Sequence, residues 1–187
     1  SSAMNNYAVM LDEGDGIEKN KKEAARYFKM AADLGNINAM ISYARKLCTG
    51  DGVAMNKREA IKYYKMAINK GDTDAMYNYA LMLYNGDGCD VNKSEAARHF
   101  KMAVDKGHVE AMNSYALLLD KGQGVPMNKR EAARYYKIAI ERGNRDAMFN
   151  YALLLYSTEG VSKREAAKYF KMAADKGHSK ALENYNI

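Results

Sequence analysis

The 187-residue sequence has no tryptophan, a single proline and only two cysteines. Few prolines and plentiful Ala, Tyr, Met, Lys and Asn argue against proline- and glycine-punctuated β structure and favour helices. No run approaches the roughly 18 apolar residues of a membrane-spanning helix, and no apolar segment follows a basic stretch in the first dozen residues. Neither a membrane span nor a secretion signal is therefore expected, and no membrane partner. Cys48 and Cys89 form no CxxC pair and no disulfide framework, which points to a reducing, cytoplasmic location. Neither GxGxxG nor GxxxxGK[ST] occurs, so no nucleotide cradle is expected.

What the sequence does have is repetition. Ala-Met, followed by Asn or Ser and then Tyr-Ala, recurs from Ala3, Ala39, Ala75, Ala111 and Ala147 at a constant step of 36, and a sixth copy opens at Ala181 after a step of 34. Each unit reads as two helices. In the first, helix A, Ala75, Met76, Tyr79, Ala80 and Leu83 line one face at helical spacing. In the second, helix B, Ala96, Ala97, His99, Phe100 and Ala103 do so, with Arg98, Lys101 and Lys106 outside the stripe. A glycine at 35, 71, 107, 143 or 177 suits the left-handed position that ends helix B. Asn36, Asp72, His108, Asn144 or His178 then starts the next helix A, with His the weaker N-cap. Neither helix can bury its stripe alone, so consecutive pairs must stack. The fold expected is an all-α, α-α superhelix: a solenoid of five antiparallel helix pairs plus the start of a sixth. It forms a single array over residues 1–187. Because the chain opens directly on a helix A and stops partway through another, it reads as a segment of a longer array or larger protein.

The unit AMxNYALxLxxGxGVxxNKxEAARYYKMAxxxG resembles the Sel1-like repeat, a relative of the tetratricopeptide repeat with a longer loop between its helices. The resemblance covers residues 3–187. Two departures stand out: the shortened loop Ser157-Thr158-Glu159-Gly160 in the fifth unit, and the lack of the paired cysteines of the family's disulfide-bearing secreted branch. What the resemblance implies is a non-enzymatic adaptor or scaffold for protein complexes.

The loop NGDGCDVNKSE at 85–95 looks like chemistry when viewed alone. A calcium loop ending on Glu95 would need an acid where Tyr84 stands, so that register fails. Sister loops carry Gly14-Asp15-Gly16, Gly50-Asp51-Gly52 and Gly122-Gln123-Gly124, which makes the middle acid dispensable. What recurs is a helix start. Asn20, Asn56, Asn92 and Asn128, and Ser162 in the fifth unit, each precede by three residues a glutamate, at 23, 59, 95, 131 and 165, in the spacing of a capping box. His99 replaces tyrosine at a helix B position and reads as a packed imidazole. The three histidines show no metal-ligand spacing. No catalytic residue, metal ligand or cofactor is assigned.

Charge is segregated. Helix B segments carry 24 Lys and Arg against 9 Asp and Glu, while the remainder carries 5 against 14, so the basic surface belongs to the outer helices. Such a face can attract polyanions. Without interleaved aromatics to stack bases, however, it does not read as a nucleic-acid interface.

Helix A is where the units differ. Counting its Ala as position 1, positions 2, 5, 6 and 9 form the core, and positions 3, 7 and 10 project away from it. The last group includes Tyr77, Tyr84, Phe149 and Tyr156 as aromatic anchors, and unit two alone offers the cations Arg45 and Lys46. Position 4 holds Asn6, Ser42, Asn78, Ser114, Asn150 and Asn184. This polar row suits an extended peptide backbone, resembling the groove asparagines of tetratricopeptide domains, and equally suits bonds to neighbouring helices. The leading expectation is a scaffold that binds a protein or peptide partner in a concave groove lined by the A helices. The site residues are Asn6, Ser42, Arg45, Tyr77, Asn78, Tyr84, Ser114, Phe149, Asn150 and Tyr156. The alternatives are a structural spacer that self-associates through exposed array ends, and polyanion binding on the basic face.

Overall fold

The computed structural model describes residues 1–158 and 163–181. The expected cap Ser162 and the last member of the polar row, Asn184, lie outside the described residues. Ten helices joined by short loops are described, with no strand among these residues: α1 (Ser2–Glu13), α2 (Lys21–Asp33), α3 (Ile37–Thr49), α4 (Lys57–Asn69), α5 (Thr73–Asn85), α6 (Lys93–Asp105), α7 (Val109–Lys121), α8 (Lys129–Glu141), α9 (Arg145–Ser157) and α10 (Lys163–Asp175). Odd numbers are the A helices and even numbers the B helices. The chain forms two compact units, Ser1–Asn92 and Lys93–Ile187. In the first, α1 to α5 each pack on the next; in the second, α6 to α10 do the same, and α7 also touches α9. This is the repeat solenoid of helix pairs that the periodicity requires.

The starts of the helices follow the cap residues. Asn36, Asp72 and Asn144 each accept a hydrogen bond from the backbone N–H three residues on, at 2.7 to 2.9 Å. His108 and His178 do the same through Nδ1 at 3.1 and 3.2 Å, which fixes their ring proton on Nε2. The B helices depart from the expected capping box. Asn20, Asn56 and Asn128 do cap the N–H of Glu23, Glu59 and Glu131, at 3.0 to 3.1 Å. The glutamates, however, accept from the Asn side-chain amides instead of the cap backbone. Those backbone N–H groups donate at 2.8 Å to Leu11, Leu47 and Leu119 near the end of the preceding A helix, and Asn92 does likewise to Leu83. The bond ties A to B and closes the loop between them.

Alanine lines the closest approaches: Ala24, Ala31, Ala44, Ala60, Ala67, Ala80, Ala116 and Ala139 are wholly buried. Between A and B of one repeat, tyrosines meet edge to face. Tyr7 and Tyr27, Tyr43 and Tyr63, and Tyr151 and Tyr169 have centroids 4.8 to 4.9 Å apart, and Tyr115 and Tyr135 are 5.5 Å apart. Each such pair contributes about 1 kcal/mol beyond the area it buries. In the third repeat His99 takes the helix B place and is buried, with Nε2 at 3.2 Å from Glu95, in keeping with a packed imidazole.

The second glycine of each GxG loop has a role that no single copy reveals. A Cβ on Gly52 would lie 2.1 Å from the carbonyl oxygen of Lys21, one on Gly88 2.7 Å from the backbone of Lys57, and one on Gly124 2.2 Å from the carbonyl oxygen of Lys93. Each loop therefore presses on the first turn of the preceding B helix. Gly16, in the first repeat, meets nothing closer than Met10 at 3.9 Å. The middle acid takes part in the same joint. Asp51 accepts from Lys21 at 2.6 Å, and Asp87 pairs with Lys57, so the acid, although replaced by Gln123 in the fourth repeat, clamps two of the joints.

Candidate functional site

In the first unit the A-helix face holds a cavity of about 570 Å³ between α1 and α3. Ser42 and Arg45, from positions 4 and 7 of helix A, line it together with Val9, Asp12, Thr49 and Phe28. The cavity thus brings together two of the expected site residues. Arg45 is exposed and Ser42 half-buried, and the floor of Val9 and Phe28 carries a mixed rim in which the Arg45 guanidinium faces the carboxylates of Asp12, Glu13 and Asp51. Asn6 is exposed on α1 and accepts from Asn5 at 3.4 Å. Farther along the unit, Tyr77, Asn78 and Tyr84 are half-buried on α5, and the Asn78 amide donates to the Asp74 carbonyl of its own helix at 2.7 Å.

Lys46 departs from its expected role as a groove cation. It is 5% exposed and donates to Asp12 at 2.5 Å and Asp51 at 2.9 Å, with its Nζ 5.9 Å from the centre of the Phe28 ring. Its sister residues Met82, Leu118 and Leu154 are all buried, while Met10 in the first repeat is 38% exposed. From the second repeat onward position 8 is therefore a core position that the four-position pattern missed. The signal for it was present: four of the five copies hold Met or Leu there.

In the second unit Ser114 and Asn150 are half-buried, and Asn150 donates to Asn113 of the neighbouring A helix at 2.9 Å, a bond within the fold. Tyr156 is 55% exposed, with the Lys163 ammonium 5.0 Å from its ring centre. Phe149 corrects an expectation. Placed by spacing among the projecting anchors, it is only 9% exposed, stacked on His178 with centroids 4.3 Å apart and edge-on to Phe170 at 5.7 Å. Here α10 and the turn after it cover position 3 of α9. Asp120 is likewise buried rather than projecting, and its bridge to Lys121 at 2.8 Å is its ion pair. Beside it the Tyr136 hydroxyl is buried with no hydrogen-bond partner among the described residues, and burial, followed by the Asp120 charge, pushes its ionisation well above the usual tyrosine range.

The two thiols are free and half-buried. Burial, ahead of the neighbouring charges, pushes both above the ordinary thiol value, which keeps them protonated and poorly nucleophilic at neutral pH. Among the described residues, no three His, Cys, Asp or Glu side chains come together as a metal site, and no helix is long and apolar enough to cross a membrane.

The repeat geometry has relatives. The Sel1 repeat family model matches residues 1–36, 37–72, 73–108, 109–144 and 145–178. A Sel1 repeat protein from Oxalobacter formigenes superimposes with a TM-score of 0.91 at 26% identity, over 98% of this chain and 74% of that one. The antigen c5321 of uropathogenic Escherichia coli, which has the same repeat fold, gives 0.88 at 22% identity over 98% of this chain and 40% of its own. Helicobacter pylori cysteine-rich protein B gives 0.55 at 20% identity, over 69% and 92%. No curated protein matches in sequence. Five consecutive matches spanning nearly the whole chain make it a member of the Sel1 repeat family, whose fold generally serves as a protein-interaction scaffold.

Proposed function

We propose that this chain is a non-enzymatic scaffold that receives a peptide or helix of a protein partner on its A-helix face. The observation that carries the reading is the cavity between α1 and α3, where Ser42 and Arg45, together with the carboxylates of Asp12, Glu13 and Asp51, border a floor of Val9 and Phe28. A floor of this kind accepts an apolar anchor, while the hydroxyl and guanidinium orient the chain that bears it. Tyr77 and Tyr84 in the first unit, and Tyr156 in the second, supply further aromatic contact area, a type of residue enriched where partners bind. Asn6 and Asn78 extend the polar row within the first unit, and Ser114 supplies the corresponding position in the second. Asn150 is engaged with Asn113, and Phe149 acts from the core by holding α9 against α10.

The test is photo-crosslinking from single positions. A crosslinker at Arg45 or Tyr84 is expected to capture a partner from cells of the source organism, while one at Lys62, exposed on α4, captures none. Capture from Lys62 alone would transfer the interface to the B helices and refute the reading.

A further inference from the structure

The exposed face of α8 carries a second kind of site. A cavity of about 650 Å³ is lined by Asn128, Arg130, Glu131, Ala133, Arg134 and Lys137. The three cations stand at i, i+4 and i+7, on one helical face, and span about 10 Å of the axis. The same six positions of the first repeat, from Asn20 to Lys29, line a cavity of about 530 Å³ beside Tyr43 and the loop 52–54.

The two cavities differ in how their charge is used. On α2, Lys29 is held by Asp33 at 2.7 Å and Arg26 lies 4.0 Å from Glu23. On α6, Arg98 is taken by Glu95 and Lys101 by Asp105. On α8, Arg130, Arg134 and Lys137 have no carboxylate within ion-pair distance among the described residues. Glu131 instead accepts from its cap residue Asn128 at 3.2 Å. Arg134 stands over the Tyr135 ring at 5.4 Å and Lys137 over Tyr151 at 5.6 Å. Both cations are thereby positioned over aromatic rings on the exposed face of α8, Lys137 also hydrogen-bonding the Tyr151 side chain. Three positive charges thus converge on one cavity with a small alanine at its base.

We propose that the face of α8 bearing Arg130, Arg134 and Lys137 docks an acidic segment of a partner protein. Carboxylates spaced every second residue of an extended peptide, or every third or fourth of a helix, repeat over distances that match the row of cations. Charge-assisted bonds from the two guanidiniums add geometric specificity that a diffuse basic patch lacks. Nucleic acid fits less well. The Tyr135 and Tyr151 rings are buried beneath the cations, so neither offers a face to a base, and three phosphate contacts give only weak, salt-sensitive binding. The proposal does not depend on the A-helix reading, since it uses the opposite kind of helix and other residues.

The test uses the full 187-residue chain and fluorescence anisotropy. The probes are a labelled peptide of alternating Glu and Ala, its Gln and Ala counterpart, and an oligothymidylate. The variants are R130Q/R134Q/K137Q and the charge-matched K22Q/R26Q/K29Q, with helix content checked by circular dichroism. The Glu peptide is expected to bind, and its affinity to fall by about tenfold or more in the α8 variant but less than about threefold in the α2 variant. The proposal is overturned if the Glu peptide does not bind, if both variants weaken it equally, or if the Gln peptide or the oligothymidylate binds as tightly.

Discussion

Lys46 of α3 reaches back to Asp12 of α1 across 2.5 Å, with its ammonium almost entirely buried where the sister repeats place Met or Leu. Asp51 completes the pair from the loop and also holds Lys21, so four charges knit α1, α2 and α3 together. The Asp12 and Asp51 side chains are 30% and 34% exposed and stay hydrated when the lysine is replaced by an apolar residue of similar length, whereas losing an aspartate leaves the buried ammonium short of a partner. Lys46→Met is therefore expected to remain within about 1 kcal/mol of wild type at neutral pH, and Asp12→Ala to lose about 2 kcal/mol, since Asp51 still partners the lysine. Urea denaturation of the three proteins checks the order; a larger loss in Lys46→Met would refute it.

The same cluster makes a pH prediction. Lys21 foremost, and then Lys46, hold the Asp51 carboxyl down at about 2, from an ordinary 3.8. A carboxylate with a depressed folded value stabilises the protein fully above the unfolded value and loses that contribution as pH falls through the folded one. Stability from Asp51 is thus lost between about pH 4 and pH 2. Lys21→Gln should flatten the decline in this window when midpoints of unfolding are compared, and an unchanged slope would show that the pairing does not survive in solution.

Gly52→Ala and Gly143→Ala separate steric contact from backbone strain. Both glycines have left-handed φ, 76° and 85°, but only the first faces another backbone, since a Cβ on Gly143 meets nothing within 4 Å. Gly143→Ala is expected to cost about 1 kcal/mol, from the conformational strain alone. Gly52→Ala must also push loop and helix apart, and should cost more than about 3 kcal/mol. Equal costs would mean that the loop does not press on α2.

Phe149→Ala and Tyr156→Ala should divide stability from binding. Phe149 is packed between Phe170 and His178, so truncation is expected to cost about 3 kcal/mol. Tyr156→Ala should shift stability by less than about 1 kcal/mol while weakening capture of an A-face partner. The reverse pattern in thermal melts would place Tyr156 in the core.

Asn56→Ala tests the helix starts. The lost bond to the Glu59 N–H, 3.1 Å long, is worth about 1 kcal/mol, and Asn56→Asp should retain it. Equal stability of the two variants would show that the cap contributes nothing.

Much of this was legible from the chain. Helix A and helix B, their caps and the glycine after each B helix follow from short-range rules, and five copies remove the ambiguity that any one copy leaves. Even so, the capping box was read only by half. The spacing of Asn20 and Glu23 is right for it, yet the cap N–H belongs to Leu11, because the loop brings the end of α1 within reach. That bond joins two elements, and no spacing within either one reports it.

The sequence by itself determined the repeat, the helix pairs and the segregation of positive charge onto the B helices, because these depend on periodicity and composition along one strand of chain. Which polar residues are available to a partner was decided by tertiary structure. Lys46 and Arg45 are neighbours in sequence; one turns into the core to meet Asp12, and the other lines an open cavity. Phe149 and Tyr156 share a helix, yet α10 and the turn after it cover the first and leave the second exposed. Arg98 and Arg134 occupy the same repeat position, but Glu95 closes on the first while Glu131 stays with its cap and leaves the second to face solvent. Each outcome turns on a partner a few ångströms away, at a distance that only packing sets.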